Sequence, residues 1–138
     1  MRTYYIFRIN TILNKGNKTA IYKILNNINK FDKSNFKLAK KIYSKVVVLL
    51  DKEKIDRYLL KIHMNDLYYK KKNRKHIIDT EFEISTLIIN NSYIKIETTN
   101  NIPIFLKDLI PISDNMICID FDSVDYFYLS ELETKLLV

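Results

Sequence analysis

The sequence predicts an α+β domain in which helices pack on a mostly antiparallel sheet. Three observations point there. Segments alternating apolar and polar residues lie at the start of the chain and through its back half. Segments with apolar residues at i, i+3, i+4 and i+7 fill the front half. The back-half strands come as two hairpins around short turns. With 138 residues, 47% of them hydrophobic, the chain has material for one domain with its own core, spanning residues 1–138. The expected order is β-α-α-α-β-β-α-β-β.

Residues 3–9, TYYIFRI, place Tyr5, Phe7 and Ile9 on one side and Tyr4, Ile6 and Arg8 on the other, a strand with one buried and one mixed face. Asn14, Gly16 and Asn17 then break the chain. From Lys18 the period lengthens: Ile21, Ile24, Leu25 and Ile28 form the stripe of a helix with Asn17 as its cap. A second helix starts at Ser34, with Phe36, Ala39, Tyr43 and Val47 along one side. Asp51 caps a third, whose stripe is Ile55, Tyr58, Leu59 and Ile62. The run YYKKKNRKH, 68–76, is expected to be a solvated connector.

Behind it, FEISTLII (82–89) and YIKIET (93–98) flank NNS, a turn suited to a hairpin because asparagine tolerates positive φ. NIPIFLKDLI reads as a short helix: Asn101 lies near the cap, Pro103 in the first turn, Phe105, Leu106 and Leu109 inward, and Pro111 at its end. MICIDF (116–121) and DYFYL (125–129) make the last hairpin, turning at Asp122 and Ser123.

Charge is divided unevenly. Residues 1–76 hold 20 Lys and Arg against 5 Asp and Glu, or +15, whereas residues 77–138 hold 3 against 11, or −8. The basic front half suits an acidic protein face, a nucleic acid, or the chain's own acidic back half. Lysine outnumbers arginine 19 to 4 while Ile, Asn and Tyr abound. An A+T-rich coding bias produces that pattern, and nucleic-acid readers lean instead on arginine. Nucleic-acid contact by Lys70, Lys71, Lys72, Arg74 and Lys75, beside Tyr68 and Tyr69, is therefore the secondary expectation. The longest dense apolar patch, VVVLL at 46–50, is far short of the roughly 18–20 residues a membrane span needs. Nor does the amino terminus carry a small-residue cleavage site. A cytoplasmic, soluble monomer is expected, without a membrane partner.

Catalytic sets are hard to assemble. Cys118 is the only cysteine, His63 and His76 the only histidines and Gly16 the only glycine, which excludes a disulfide framework and a glycine-rich phosphate loop. Cys118 alternates within a strand as a small hydrophobe. Asp120, Asp122 and Asp125 imitate the start of a calcium loop but lack its glycine and distal glutamate, so they read as turn residues. The aromatic residues Tyr4, Tyr5 and Phe7, with Tyr126, Phe127 and Tyr128, read as core and sheet face rather than as a base-stacking platform. No enzyme, metal or cofactor is expected.

YYIFRI at 4–9, SYIKIET at 92–98 and ICIDFDSVDYFYLSELETKLLV at 117–138 resemble the sporulation inhibitor of replication family, SirA. Its members open with a Tyr-Tyr strand and close with a DF step, a short turn, an aromatic strand and an apolar tail; the helical middle matches in size and order. The resemblance implies a small non-enzymatic cytoplasmic protein that binds the N-terminal domain, domain I, of the initiator DnaA and restrains chromosome replication. It places the DnaA-binding surface just after the first strand, at Ile12 and Leu13, and on the second helix, at Lys40 and Tyr43. Leu13 stands where the family carries an aromatic residue.

Overall fold

Strand β1 (Arg2–Ile9) is the axis of the molecule, because its two neighbours pair along most of its length. In the computed structural model, residues 1–11, 17–30 and 36–132 are described. Helices α1 (Lys18–Lys30) and α2 (Phe36–Val46) follow, then a two-residue strand β2 (Val47–Val48) and helix α3 (Lys52–His63). Next come β3 (Tyr69–Lys72), β4 (Lys75–Asp79), β5 (Ile84–Ile89) and β6 (Ile94–Thr98). Helix α4 (Ile104–Leu109) runs into a 3-10 turn at Ile110–Ile112, and β7 (Met116–Asp120) and β8 (Asp125–Tyr128) close the fold. The sheet order is β3-β4-β5-β6-β1-β7-β8, with β2 paired to β1, and every pairing is antiparallel. The expected α+β class is borne out. Among the described residues no helix is long and apolar enough to cross a membrane.

The sheet has a core on each side. Tyr4, Ile6, Leu87, Ile94, Ile96 and Cys118 face α3 and α4, where Leu59, Phe105, Leu106 and Leu109 seal them. Phe7, Ile9, Ile117, Ile119 and Tyr128 face α1 and α2 through Ile21, Tyr22, Leu25 and Val46. One buried and one mixed face were expected of β1, yet both are covered, as a central strand under two helical layers requires. Helix α3 begins as its sequence indicates: the Asp51 side chain accepts from the Lys54 amide at 3.2 Å. Its buried stripe is Ile55, Leu59 and His63, at i, i+4 and i+8. Ile62, expected inward, is 42% exposed because it falls a further 100° or so round the helix from His63. Val47 lies past the end of α2, paired with Ile9 in β2. The Ser34 cap, Asn14, Gly16, Ile12 and Leu13 lie outside the described residues.

The largest correction falls on residues 68–76. The run is not a connector but the edge hairpin β3–β4, with Lys72 opposite Lys75 and Asn73 at φ 58°. Lysines on an edge strand discourage pairing with another chain, which gives this run a structural reason. Asparagine's tolerance of positive φ is used here and at Asn115, not in the NNS turn.

Val124 occupies the same left-handed region at φ 54°, 61% exposed, in the β7–β8 turn. A β-branched residue is disfavoured there, whereas asparagine is not. Val124→Asn is expected to stabilise the fold by about 1 kcal/mol, read as a higher urea midpoint at unchanged slope. A lower midpoint would show that the valine side chain supports the turn.

Candidate functional site

Helix α2 packs on β1, next to the turn that leads into β6, and offers a half-buried ring beside a basic surface. The Tyr43 ring packs edge-on to Phe7 at 6.3 Å, and its hydroxyl lies 2.9 Å from Ser92 Oγ. Burial pushes the Tyr43 phenol above its ordinary pKa despite the Ser92 hydrogen bond, so the hydroxyl stays protonated and donates. Lys40, one turn earlier, is exposed, as are Lys41, Ser44 and Lys45. Below them Tyr5, Phe7, Tyr93 and Phe121 form an aromatic cluster, and Tyr22 stacks on Tyr126 at 4.4 Å. The rings expected as core are largely that, so Lys40 and Tyr43 sit as a charged rim and a tethered aromatic shoulder.

The basic hairpin distributes its cations over two faces. Cross-strand register puts Lys71, Tyr69, His76 and Ile78 on the α3 side and Lys70, Lys72, Lys75 and Ile77 on the other. Lys71 is bound to Asp56 at 2.6 Å, whereas Lys70, Lys72, Arg74 and Lys75 are solvent-exposed. The Tyr69 hydroxyl lies 2.6 Å from His76 Nδ1, so Tyr69 is turned inward. Of the two tyrosines, Tyr68 alone counts as exposed.

His76, expected at the rim of a loop, is fully buried in β4. Its Nε2 lies 2.5 Å from Asp56 Oδ1, opposite the Tyr69 contact. The Tyr69 phenol is pushed up to about 12, by burial first and then by the Asp56 charge, so it donates to Nδ1 and leaves Nε2 to donate to Asp56. Burial accordingly holds the His76 pKa below its ordinary value, against the pull of Asp56, and the ring is neutral. His63 is the opposite case. Nδ1 lies 2.8 Å from Asp66 and Nε2 2.5 Å from Asp108, so both ring nitrogens face carboxylates. Burial opposes the charge, but the hydrogen bonds to Asp108 and Asp66 prevail and raise the pKa. The Tyr69 ring stacks on His63 at 5.0 Å and links the two histidines. Sequence reading missed this network, since its members lie on α3, the turn after it, α4 and the hairpin; the available sign was His63 at the i+8 position of the buried stripe. With His63 only 3% exposed, it fastens elements together rather than opening onto a cleft.

The acidic turn is likewise structural. Arg2 reaches Asp120 and Asp125, each at 2.8 Å, and Asp120 Oδ1 accepts from the amides of Asp122 and Ser123. Cys118 is buried in β7, opposite Ile6 and Phe127. Compared with known proteins, the chain matches no protein-family model and no curated sequence.

Proposed function

We propose that this chain is a non-enzymatic cytoplasmic regulator that binds domain I of the replication initiator DnaA as a monomer and restrains the start of chromosome replication. The observation that carries the reading is where the resembling segments fall. YYIFRI lies in β1, SYIKIET runs into β6, and the closing segment contributes β7 and β8, so the three form the adjacent strands β6–β1–β7–β8. The α1–α2 layer packs on three of these strands, β1, β7 and β8. The DnaA-contacting surface comprises Ile12, Leu13, Lys40 and Tyr43. Lys40 supplies charge for approach to an acidic partner and Tyr43 an aromatic edge for the dry centre of the contact. Nucleic-acid binding along 68–76 has less support, because Lys71 is engaged by Asp56 and Tyr69 by His76, which leaves no groove of interleaved rings and cations.

Calorimetric titration into the cognate DnaA domain I tests this. Binding is expected at micromolar concentration or tighter, weakened about ten-fold by Lys40→Glu, an exposed substitution that leaves packing intact. Tyr43→Ala is expected to weaken it further, and Tyr43→Phe, which keeps the ring on Phe7, far less. No heat at tens of micromolar, roughly 6 kcal/mol of binding free energy, would sink the proposal.

A further inference from the structure

Among the described residues, no helix covers about half of one sheet face. The α3–α4 side is covered across the sheet, whereas α1 and α2 pack on β1, β7 and β8 on the opposite side. Over β3–β6 that opposite side carries no helix among the described residues. The register defines what it presents. Lys72, Lys75, Ile88 and Lys95 form one row across the strands, and Lys70, Ile77, Thr86 and Glu97 the next. Ile84 follows beside Asp79, 45% exposed. An antiparallel sheet facing water ordinarily alternates apolar-in with polar-out. Here three isoleucines, Ile77, Ile84 and Ile88, point outward and are each partly exposed.

Charge decides what could cover them. Glu97 is paired with Lys95 at 3.5 Å. The remaining cations, Lys70, Lys72 and Lys75, gather at the edge-strand end of the isoleucine floor, with Asp79 the nearest acidic residue in that register. A second copy of this chain would bring the same lysines against themselves. A nucleic acid would find phosphate partners but an aliphatic floor, which offers bases no stacking surface. We propose that the uncovered face of β3–β6 docks an acidic amphipathic helix from a protein partner. Its apolar stripe lies on Ile77, Ile84 and Ile88, and its flanking carboxylates meet Lys70, Lys72 and Lys75. Such a helix, lying beside α2, completes the third layer of the sandwich. This surface is separate from Lys40 and Tyr43, and the proposal does not depend on DnaA.

The test uses three fluorescent probes with the full chain: a helical peptide with a Leu stripe flanked by Glu, the same peptide with Lys for Glu, and a mixed-sequence single-stranded DNA. The acidic peptide is expected to bind on the order of tens of micromolar at low salt and to shift amide resonances of β4 and β5. Ile88→Ser and the triple Lys70→Glu/Lys72→Glu/Lys75→Glu should each weaken it about ten-fold or more, both acting at solvent-accessible positions. Three results would overturn the proposal. The acidic peptide binds no better than the basic one; or DNA binding alone is lost in the triple variant, with Ile88→Ser silent; or sedimentation finds a dimer that Ile88→Ser dissociates.

Discussion

Replacing His63 with alanine is expected to destabilise the protein by about 3 kcal/mol, because it strands Asp108 in a buried site without its partner. Asp108 sits on α4 with its side chain 13% exposed, and burial already holds its carboxyl above the usual carboxylate range despite the pull of His63. Loss of the imidazole also takes the His63 partner from Asp66 and removes the ring on which Tyr69 stacks. For a domain of this length the change corresponds to a fall of roughly 10 °C in Tm. Urea denaturation of wild type, His63→Ala and the double variant His63→Ala/Asp108→Ala measures it. The double variant should recover part of the loss, since no buried charge then remains unpaired. A single variant within about 0.5 kcal/mol of wild type would mean that the pair is hydrated and contributes nothing.

The two histidines also give stability opposite pH slopes. His63 has a folded pKa above its unfolded value of 6.5, so its contribution is complete below 6.5 and is lost as pH rises through the folded value. His76 has a folded pKa below 6.5, so its contribution is present above 6.5 and is lost as pH falls through the folded value. The urea midpoint should therefore fall both as pH rises above 6.5 and as it drops below 6.5. His63→Gln should flatten the alkaline limb and leave the acid limb. An unchanged alkaline limb would show that His63 is neutral in the folded protein.

Much of the fold was legible because local pattern and tertiary environment agree. Alternation marked β1 and β6, and Asp51 marked the start of α3 by the hydrogen bond it accepts. The hairpin β3–β4 was illegible for a physical reason: an edge strand can carry charge on both faces, so Tyr69–Lys72 has the composition of a loop. What would have located it is Asn73, with its capacity for positive φ, between Lys72 and Lys75. His76 was misplaced along with it, since a residue on a loop rim becomes a core residue once its strand pairs on both sides. Of the candidate site, Lys40 was placed correctly on α2, and Tyr43 proved half-buried because its ring meets Phe7 from a strand far away in sequence. Long-range partners of that kind leave no trace in a local window.

Glu83 offers the same lesson with an effect of similar size. Read from sequence as the second residue of a strand, it lies just before β5 and is 4% exposed. Its carboxylate accepts from Ser85 Oγ at 2.6 Å, from Asn100 Nδ2 at 3.2 Å and from the Ile104 amide at 3.1 Å. The Ile104 amide opens α4, so the helix takes its capping acceptor from a residue 21 positions upstream; Asn101, expected at the cap, instead accepts from Arg2 and, through its carbonyl, from Tyr4. Glu83→Ala removes an acceptor from three donors at once. Leaving buried donors unsatisfied costs about 1–3 kcal/mol each and is not additive, so a loss of about 3 kcal/mol is expected. Thr80→Ala, which removes the hydroxyl accepting from the Phe82 and Glu83 amides, should cost only about 1 kcal/mol, because that turn is partly open to water. Hydrogen exchange separates local from global effects. In Glu83→Ala the amides of Ile104 to Lys107 should lose protection before those of β1, since Phe105, Leu106 and Leu109 hold α4 in the core only while its first turn is anchored. Equal loss of protection in both would mean that α4 and the sheet open as one unit, with Glu83 a partner of the whole fold rather than a cap.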